Sequence, residues 1–229
     1  MDVIARHESA KAVTTTAAAR KCAVEVIGTF FLVFTIGAAV RSGSPLAPLA
    51  IGASLMVMVY AGGHISGGHY NPAVTLAVLV RGRIGVADAV KYWLSQLAAG
   101  LLAALVVRAI VPAAPAKTLT LTGHLLVTGL AAELLFTFAL AYVVLNVATS
   151  KHHPDNSFYG LAIGFTVVAG AVAVGGISGG VFNPAVAVGG AVLGLFGWSS
   201  LWVYLVAELV AGAAAGFAFR ALNPDDKQG

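Results

Sequence analysis

Residues 63–74, Gly-His-Ile-Ser-Gly-Gly-His-Tyr-Asn-Pro-Ala-Val, recur without gaps at 175–186 as Gly-Gly-Ile-Ser-Gly-Gly-Val-Phe-Asn-Pro-Ala-Val. Nine of the twelve positions are identical, and Asn71 and Asn183 stand 112 residues apart. The same offset sets Gln96 on Glu208 and Gly100 on Gly212, and Glu25-x-x-x-Thr29-Phe30 recurs as Glu133-x-x-x-Thr137-Phe138. Three features repeating in one order make the chain two halves of a duplicated unit. Whatever one half folds into, the other must fold into as well, and the two must pack together.

The solvent of that fold follows from the composition. Hydrophobic residues make up 59% of the 229 and charged residues 10%, where a soluble domain carries roughly 25% charge. Mean hydropathy is +0.91. A nucleic-acid binder, a coiled coil and a disordered chain are excluded, and an ordinary soluble enzyme lacks the charged surface it needs. The single cysteine, Cys22, permits no internal disulfide and no thiolate metal site.

A spanning helix needs roughly 20 mostly apolar residues. Six stretches qualify: 24–40, 46–60, 87–107, 125–147, 158–174 and 201–219. Two further apolar pieces, 72–80 and 184–195, are too short to cross and follow glycine-rich runs. Irregular backbone survives at membrane depth only inside protein or along a wet cavity, so these two read as re-entrant half-helices. Each half then holds three spans and one half-helix. Three is odd, so the second half is inverted relative to the first, an architecture common among membrane transport proteins.

With both termini inside, one face collects Arg6, Lys11, Arg20, Lys21, Arg81, Arg83, Lys91, Lys151, Arg220 and Lys227, and the other Arg41, Arg108 and Lys117. Ten against three places the termini in the cytoplasm. The expected organisation is a polar cytosolic arm over 1–19 and one membrane domain over 20–222, with repeats at about 20–111 and 123–222. A cytosolic tail over 223–229 completes it. The arm lacks the apolar core of a secretory signal. The membrane is expected to be the cell (inner) membrane.

Asn-Pro-Ala suits the start of a half-helix. Asn is a favoured N-cap, Pro fits the first helical position, and Ala lets two such termini approach. Inversion brings Asn71 and Asn183 together near the midplane, with Pro72-Ala73 and Pro184-Ala185 behind them. Two helix N-termini meet there, each equivalent to about half a positive charge. The carboxamide N–H groups are expected to face the lumen as donors to a passing water or hydroxyl. Such a field excludes protons and cations.

The paired Asn-Pro-Ala boxes, the Gly-His-Ile-Ser-Gly-Gly-His lead-in, Glu25 and Glu133 resemble the aquaporin, or major intrinsic protein, family over about 20–220. The resemblance implies an all-α membrane protein, a right-handed bundle of six transmembrane helices plus two re-entrant half-helices, one pore per subunit and a homotetramer. The stretch 182–188 looks like plant tonoplast-type members. Ala187 and Ala191 stand where glycerol facilitators usually carry Asp and a basic residue, and the segment 195–201 lacks their insertion.

The resemblance also assigns four filter positions: Ile51, Ala171, Gly180 and Val186. Water-selective members usually place an aromatic, a His, a small residue and an Arg there; this chain keeps none of the aromatic, His or Arg. The filter is therefore expected to be wide and apolar, passing water and small neutral solutes such as glycerol, urea, ammonia, hydrogen peroxide or metalloid acids like arsenite. His124, near the outer end of the fourth span, is an alternative plug for the gap. His69 is expected to line the pore and His64 to brace the loop. Glu25 and Glu133 are expected to accept bonds from the re-entrant backbone, with a proton relay as the other reading. Glu208 replaces a common Pro and carries no assignment.

No cofactor, metal or nucleic acid is implied; lipid, solute and further copies of the chain are the expected partners. A strictly water-selective channel, a secondary transporter with a midplane site, and a non-conducting junction protein remain as alternatives. No nucleophile–base set points to an enzyme. The charge count is tested in a Cys22→Ser background. A cysteine at Lys151 should react with an impermeant thiol reagent applied from the cytoplasmic side, and one at Lys117 only from the opposite side.

Overall fold

The computed structural model describes residues 2–112 and 117–226. Eight α-helices and one 3-10 turn make up the regular structure of the described residues. They are α1 (Asp2–Arg41), α2 (Ala47–Ser66), α3 (Pro72–Arg81), α4 (Val86–Ile110), α5 (His124–Thr149), α6 (Tyr159–Ser178), α7 (Pro184–Leu193) and α8 (Leu201–Leu222). Six helical stretches are long and apolar enough to span: Thr16–Arg41, Ala47–Ser66, Val86–Ile110, His124–Thr149, Tyr159–Ser178 and Trp198–Leu222. The helices α3 and α7, ten residues each, are not.

Three boundaries differ from the sequence reading. Helix α1 begins at Asp2, not after Lys21, so the segment read as an arm continues the first helix. Its Ala, Arg, Lys and Glu residues favour helix whatever their polarity. Helices α2 and α6 run on through Ile65-Ser66 and Ile177-Ser178, past the span ends that hydropathy sets at 60 and 174. They stop at Gly67 and Gly179, whose φ values of 89° and 94° let each N–H close back on the carbonyl of Gly63 or Gly175. Of the tail, 227–229 lie outside the described residues, Lys227 among them.

The pairing of helices shows the duplication in three dimensions. Helix α1 packs on α2 and α4, as α5 packs on α6 and α8; α2 and α6 meet each other. Each half-helix then crosses over, α3 onto α8 and α7 onto α4, so each repeat completes the other. Small residues make the crossing close. Gly212 on α8 lies against the Ala73 carbonyl, and a Cβ at Gly100 on α4 would stand 2.8 Å from the Ala185 carbonyl oxygen. The buried residues include many alanines, among them Ala77, Ala103, Ala104, Ala207, Ala211 and Ala215, while Ile27, Leu94, Leu105, Leu135 and Phe217 face outward. Large side chains outside and small ones inside is what lipid permits, since helices gain contact there by close approach.

Gly212→Val should therefore lower the thermal unfolding midpoint in detergent by many degrees, since overpacking costs about 1–3 kcal/mol and the opposing atom is backbone. Gly85→Ala is the control: a Cβ there meets nothing, and the midpoint should hardly move.

Candidate functional site: a pore between two half-helices

Each half-helix starts in the same way. The Asn71 Oδ1 accepts from the Ala73 N–H at 2.8 Å and the Val74 N–H at 3.4 Å, and the Asn183 Oδ1 from the Ala185 N–H at 2.9 Å. Both asparagines have extended backbone, and Pro72 and Pro184 fill the first turns. The asparagines are also tied to each other's loop. Asn71 Nδ2 donates to the Phe182 carbonyl at 2.7 Å, and Asn183 Nδ2 to the Tyr70 carbonyl at 2.9 Å. This corrects the expectation that both carboxamide N–H groups are free. One N–H of each crosslinks the repeats, and a carboxamide has two, so one per asparagine is left.

Those carbonyls are aimed by unusual backbone. Tyr70 and Phe182 sit at φ 48° and 53°, in the left-handed region, which costs a non-glycine residue on the order of 1 kcal/mol. The sequence pattern gave no sign of this. A carboxylate holds each turn in place. Glu25 accepts from the His69 N–H at 3.0 Å, the Tyr70 N–H at 2.7 Å and the Ser66 hydroxyl at 2.7 Å. Glu133 accepts from the Val181 N–H at 3.0 Å and the Phe182 N–H at 2.7 Å. Both carboxylates are fully buried. The expected brace His64 is instead exposed on α2, and none of the hydrogen bonds of the loop involves it. Tyr92 and Tyr204, also 112 apart, serve instead, donating to the Ser66 and Ser178 carbonyls at 2.7 Å. Their shared offset was the available signal.

Ile51, Ala171, Gly180 and Val186 line a single cavity of about 380 Å³, together with Asn71, Asn183 and His69. The rest of its wall is largely apolar, from Leu32, Leu55, Val74, Leu140, Ile163 and Val167. Lys117 is the charged side chain on its wall. A second cavity of about 430 Å³ contains Arg83, Asp88, His153 and Asp155, and shares His69 and Val144 with the first. His69 thus stands where the two cavities meet. Its Nδ1 lies 3.1 Å from the Thr75 hydroxyl, and its ring meets Tyr92 edge-on. His124 is exposed at the start of α5 and lines neither cavity. Phe196, which the sequence reading missed, lines the first cavity and packs against Gly179 and Gly190. The backbone beside it pairs with Leu119 of the preceding loop, at 2.9 Å and 2.8 Å. Among the described residues, no group of three His, Cys, Asp or Glu side chains could hold a metal.

Beside the second cavity the chain end is fastened. Buried Arg81, at the end of α3, donates to the Asp226 carboxylate at 2.6 Å and to its carbonyl at 3.0 Å, and stacks 4.5 Å over Phe219. The Lys151 N–H donates to the same carboxylate at 2.9 Å. Burial of Asp226 disfavours its charge, but the Lys151 N–H and Arg81 outweigh this and hold its pKa below the usual value.

The fold and this site define a transmembrane channel. The chain belongs to the major intrinsic protein family, whose model matches residues 12–219, and whose members are channels for water and small solutes and not enzymes. It is 39% identical over 217 residues to a glycerol uptake facilitator protein-like 6 from Lactiplantibacillus plantarum, covering 90% of this chain and 100% of that protein. It is 37% identical to aquaporin NIP1-3 of Oryza sativa subsp. japonica, over 91% of this chain and 76% of that one. It is also 38% identical to probable aquaporin TIP3-2 of Arabidopsis thaliana, over 77% and 67%. Identity is thus nearly level across the three subtypes, and does not single out the tonoplast type. An aquaglyceroporin from Plasmodium falciparum has the same fold, with TM-score 0.77 at 20% identity over 90% of this chain and 98% of that one.

Asp226→Asn should lower the unfolding midpoint at neutral pH by several degrees, because Arg81 loses its carboxylate. A lowered folded pKa stabilises above the unfolded value of about 3.9 and is lost as pH falls through the folded one. The gap between wild type and variant should close in that acid range. A gap unchanged at low pH would contradict the ion pair.

Proposed function

We propose that the chain is a passive pore for water and small neutral solutes, with a filter selective by size and apolarity and not by a fixed charge. The observation that carries this reading is the set of side chains at the four filter positions: Ile51, Ala171, Gly180 and Val186 all line the outer cavity, and none of the four offers a charge or a side-chain hydrogen bond, the charged side chain on that cavity's wall being Lys117 from the loop before α5. A solute entering such a ring gives up hydration with no side-chain donors to replace it. Solutes with some apolar surface lose less in that exchange than ions do. Glycerol, urea, ammonia, hydrogen peroxide and undissociated metalloid acids meet this condition.

Cations and hydronium are turned away deeper in. The N-termini of α3 and α7 face each other across Asn71 and Asn183, and both dipoles present their positive ends. The remaining carboxamide N–H groups give a passing oxygen two donors. His69, at the junction of the cavities, adds a polar contact on the cytoplasmic side. The clustering of Arg81, Arg83 and Lys151 about Asp226 supports termini on the cytoplasmic face, opposite Lys117 and Arg108. Assembly as a homotetramer follows the family, with the outward apolar faces meeting lipid or neighbouring subunits.

Val186→Arg tests the filter. An arginine there narrows the cavity and adds a charge, so glycerol or urea flux into proteoliposomes should fall at least tenfold while water flux falls far less. Glycerol flux unchanged by the substitution would remove Val186 from the constriction.

A further inference from the structure

At the 112-residue offset the two repeats differ chemically at two positions of the brace. In the first repeat, Gln96 on α4 donates through Nε2 to the Glu25 carboxylate at 2.9 Å and to the Thr75 hydroxyl at 3.0 Å. It ties α4 at once to the bracing carboxylate on α1 and to the first turn of α3. The duplicate of Gln96 is Glu208 on α8, and the duplicate of Thr75 is Ala187 on α7. The neighbouring parts are conserved between halves: Ser66 with Ser178, Tyr92 with Tyr204, Glu25 with Glu133. So Glu208 takes the place of the amide donor, beside the Glu133 carboxylate.

A carboxylate cannot donate. Glu208 is fully buried, and neither of its oxygens has a hydrogen-bond partner at good geometry, although the Asn183 backbone N–H faces it. Two adjacent carboxylates at membrane depth would repel each other and lack solvation. Glu133 is the member of the pair that already accepts two backbone N–H groups, so it is the acceptor of the two.

We infer that Glu208 carries a proton at neutral pH and donates it to Glu133, doing for the second re-entrant turn what the Gln96 amide does for the first. One donor is enough, because Ala187 offers no second acceptor where Thr75 does. Glu208 is then a positioning residue. It touches no solute, and it acts through Glu133 on the Val181 and Phe182 N–H groups, and so on the Phe182 carbonyl that receives Asn71. The inference rests on the bracing geometry and is independent of which solute the pore prefers.

The test joins infrared spectroscopy with flux in proteoliposomes of the full chain. At neutral pH the wild type should show the C=O band of a protonated carboxyl group, and Glu208→Gln should abolish it. Glu208→Gln should also keep water flux within about twofold of wild type, since its amide restores a donor, whereas Glu208→Ala should lose most flux or fail to fold. Absence of the band, or its persistence in Glu208→Gln, would overturn the proposal. So would a Glu208→Gln protein as impaired as Glu208→Ala.

Discussion

A backbone that leaves the helix inside a membrane must find partners for every N–H and C=O it frees. Everything distinctive about this protein depends on how two four-residue turns, 67–70 and 179–182, meet that demand. Glu25 and Glu133 take up the N–H groups, and Asn71 and Asn183 take up the carbonyls of the opposite turn. The carboxylates pull each turn outward onto its own repeat, while the asparagines bind it inward to the other. The half-helices are thereby fixed end to end. Their dipoles oppose at one point of the pore, and the left-handed backbone at Tyr70 and Phe182 is held against its own preference.

The close approach of helices serves the same end. Gly100 and Gly212 let α4 and α8 reach the first turns of α7 and α3, so each half-helix rests on the repeat it does not belong to. A side chain there would lift a half-helix away and break the crossed asparagine bonds. The pore is a joint property of both repeats, and neither could form it alone.

The spans, the half-helices and the meeting of Asn71 with Asn183 were legible in the sequence, because each follows from local chemistry: hydropathy over a bilayer width, the Asn-Pro cap, and an odd number of spans per repeat. What was illegible needed contacts distant in sequence. His64 looked like a brace by its position in the motif, but on α2 it faces outward, and the bracing falls to Tyr92 and Gln96. Phe196 lines the cavity from the chain after α7, which pairs with Leu119 and folds back on Gly190, contacts that the local sequence does not announce. The clasp of Asp226 on Arg81 joins residues 145 positions apart, and nothing in the local pattern of either announces the other. The filter residues were placed by family resemblance, and their shared cavity is a matter of geometry; what the cavity admits depends on chemistry at its wall.

That chemistry is tested most directly by stopped-flow light scattering of proteoliposomes loaded with the purified protein, comparing water with glycerol. The account predicts that both pass, that glycerol flux rises in proportion to its gradient without saturation, and that neither flux depends on an ion or proton gradient. Water flux with glycerol excluded would contradict the open apolar filter. Glycerol flux that saturates, or that needs an ion gradient, would contradict the channel itself.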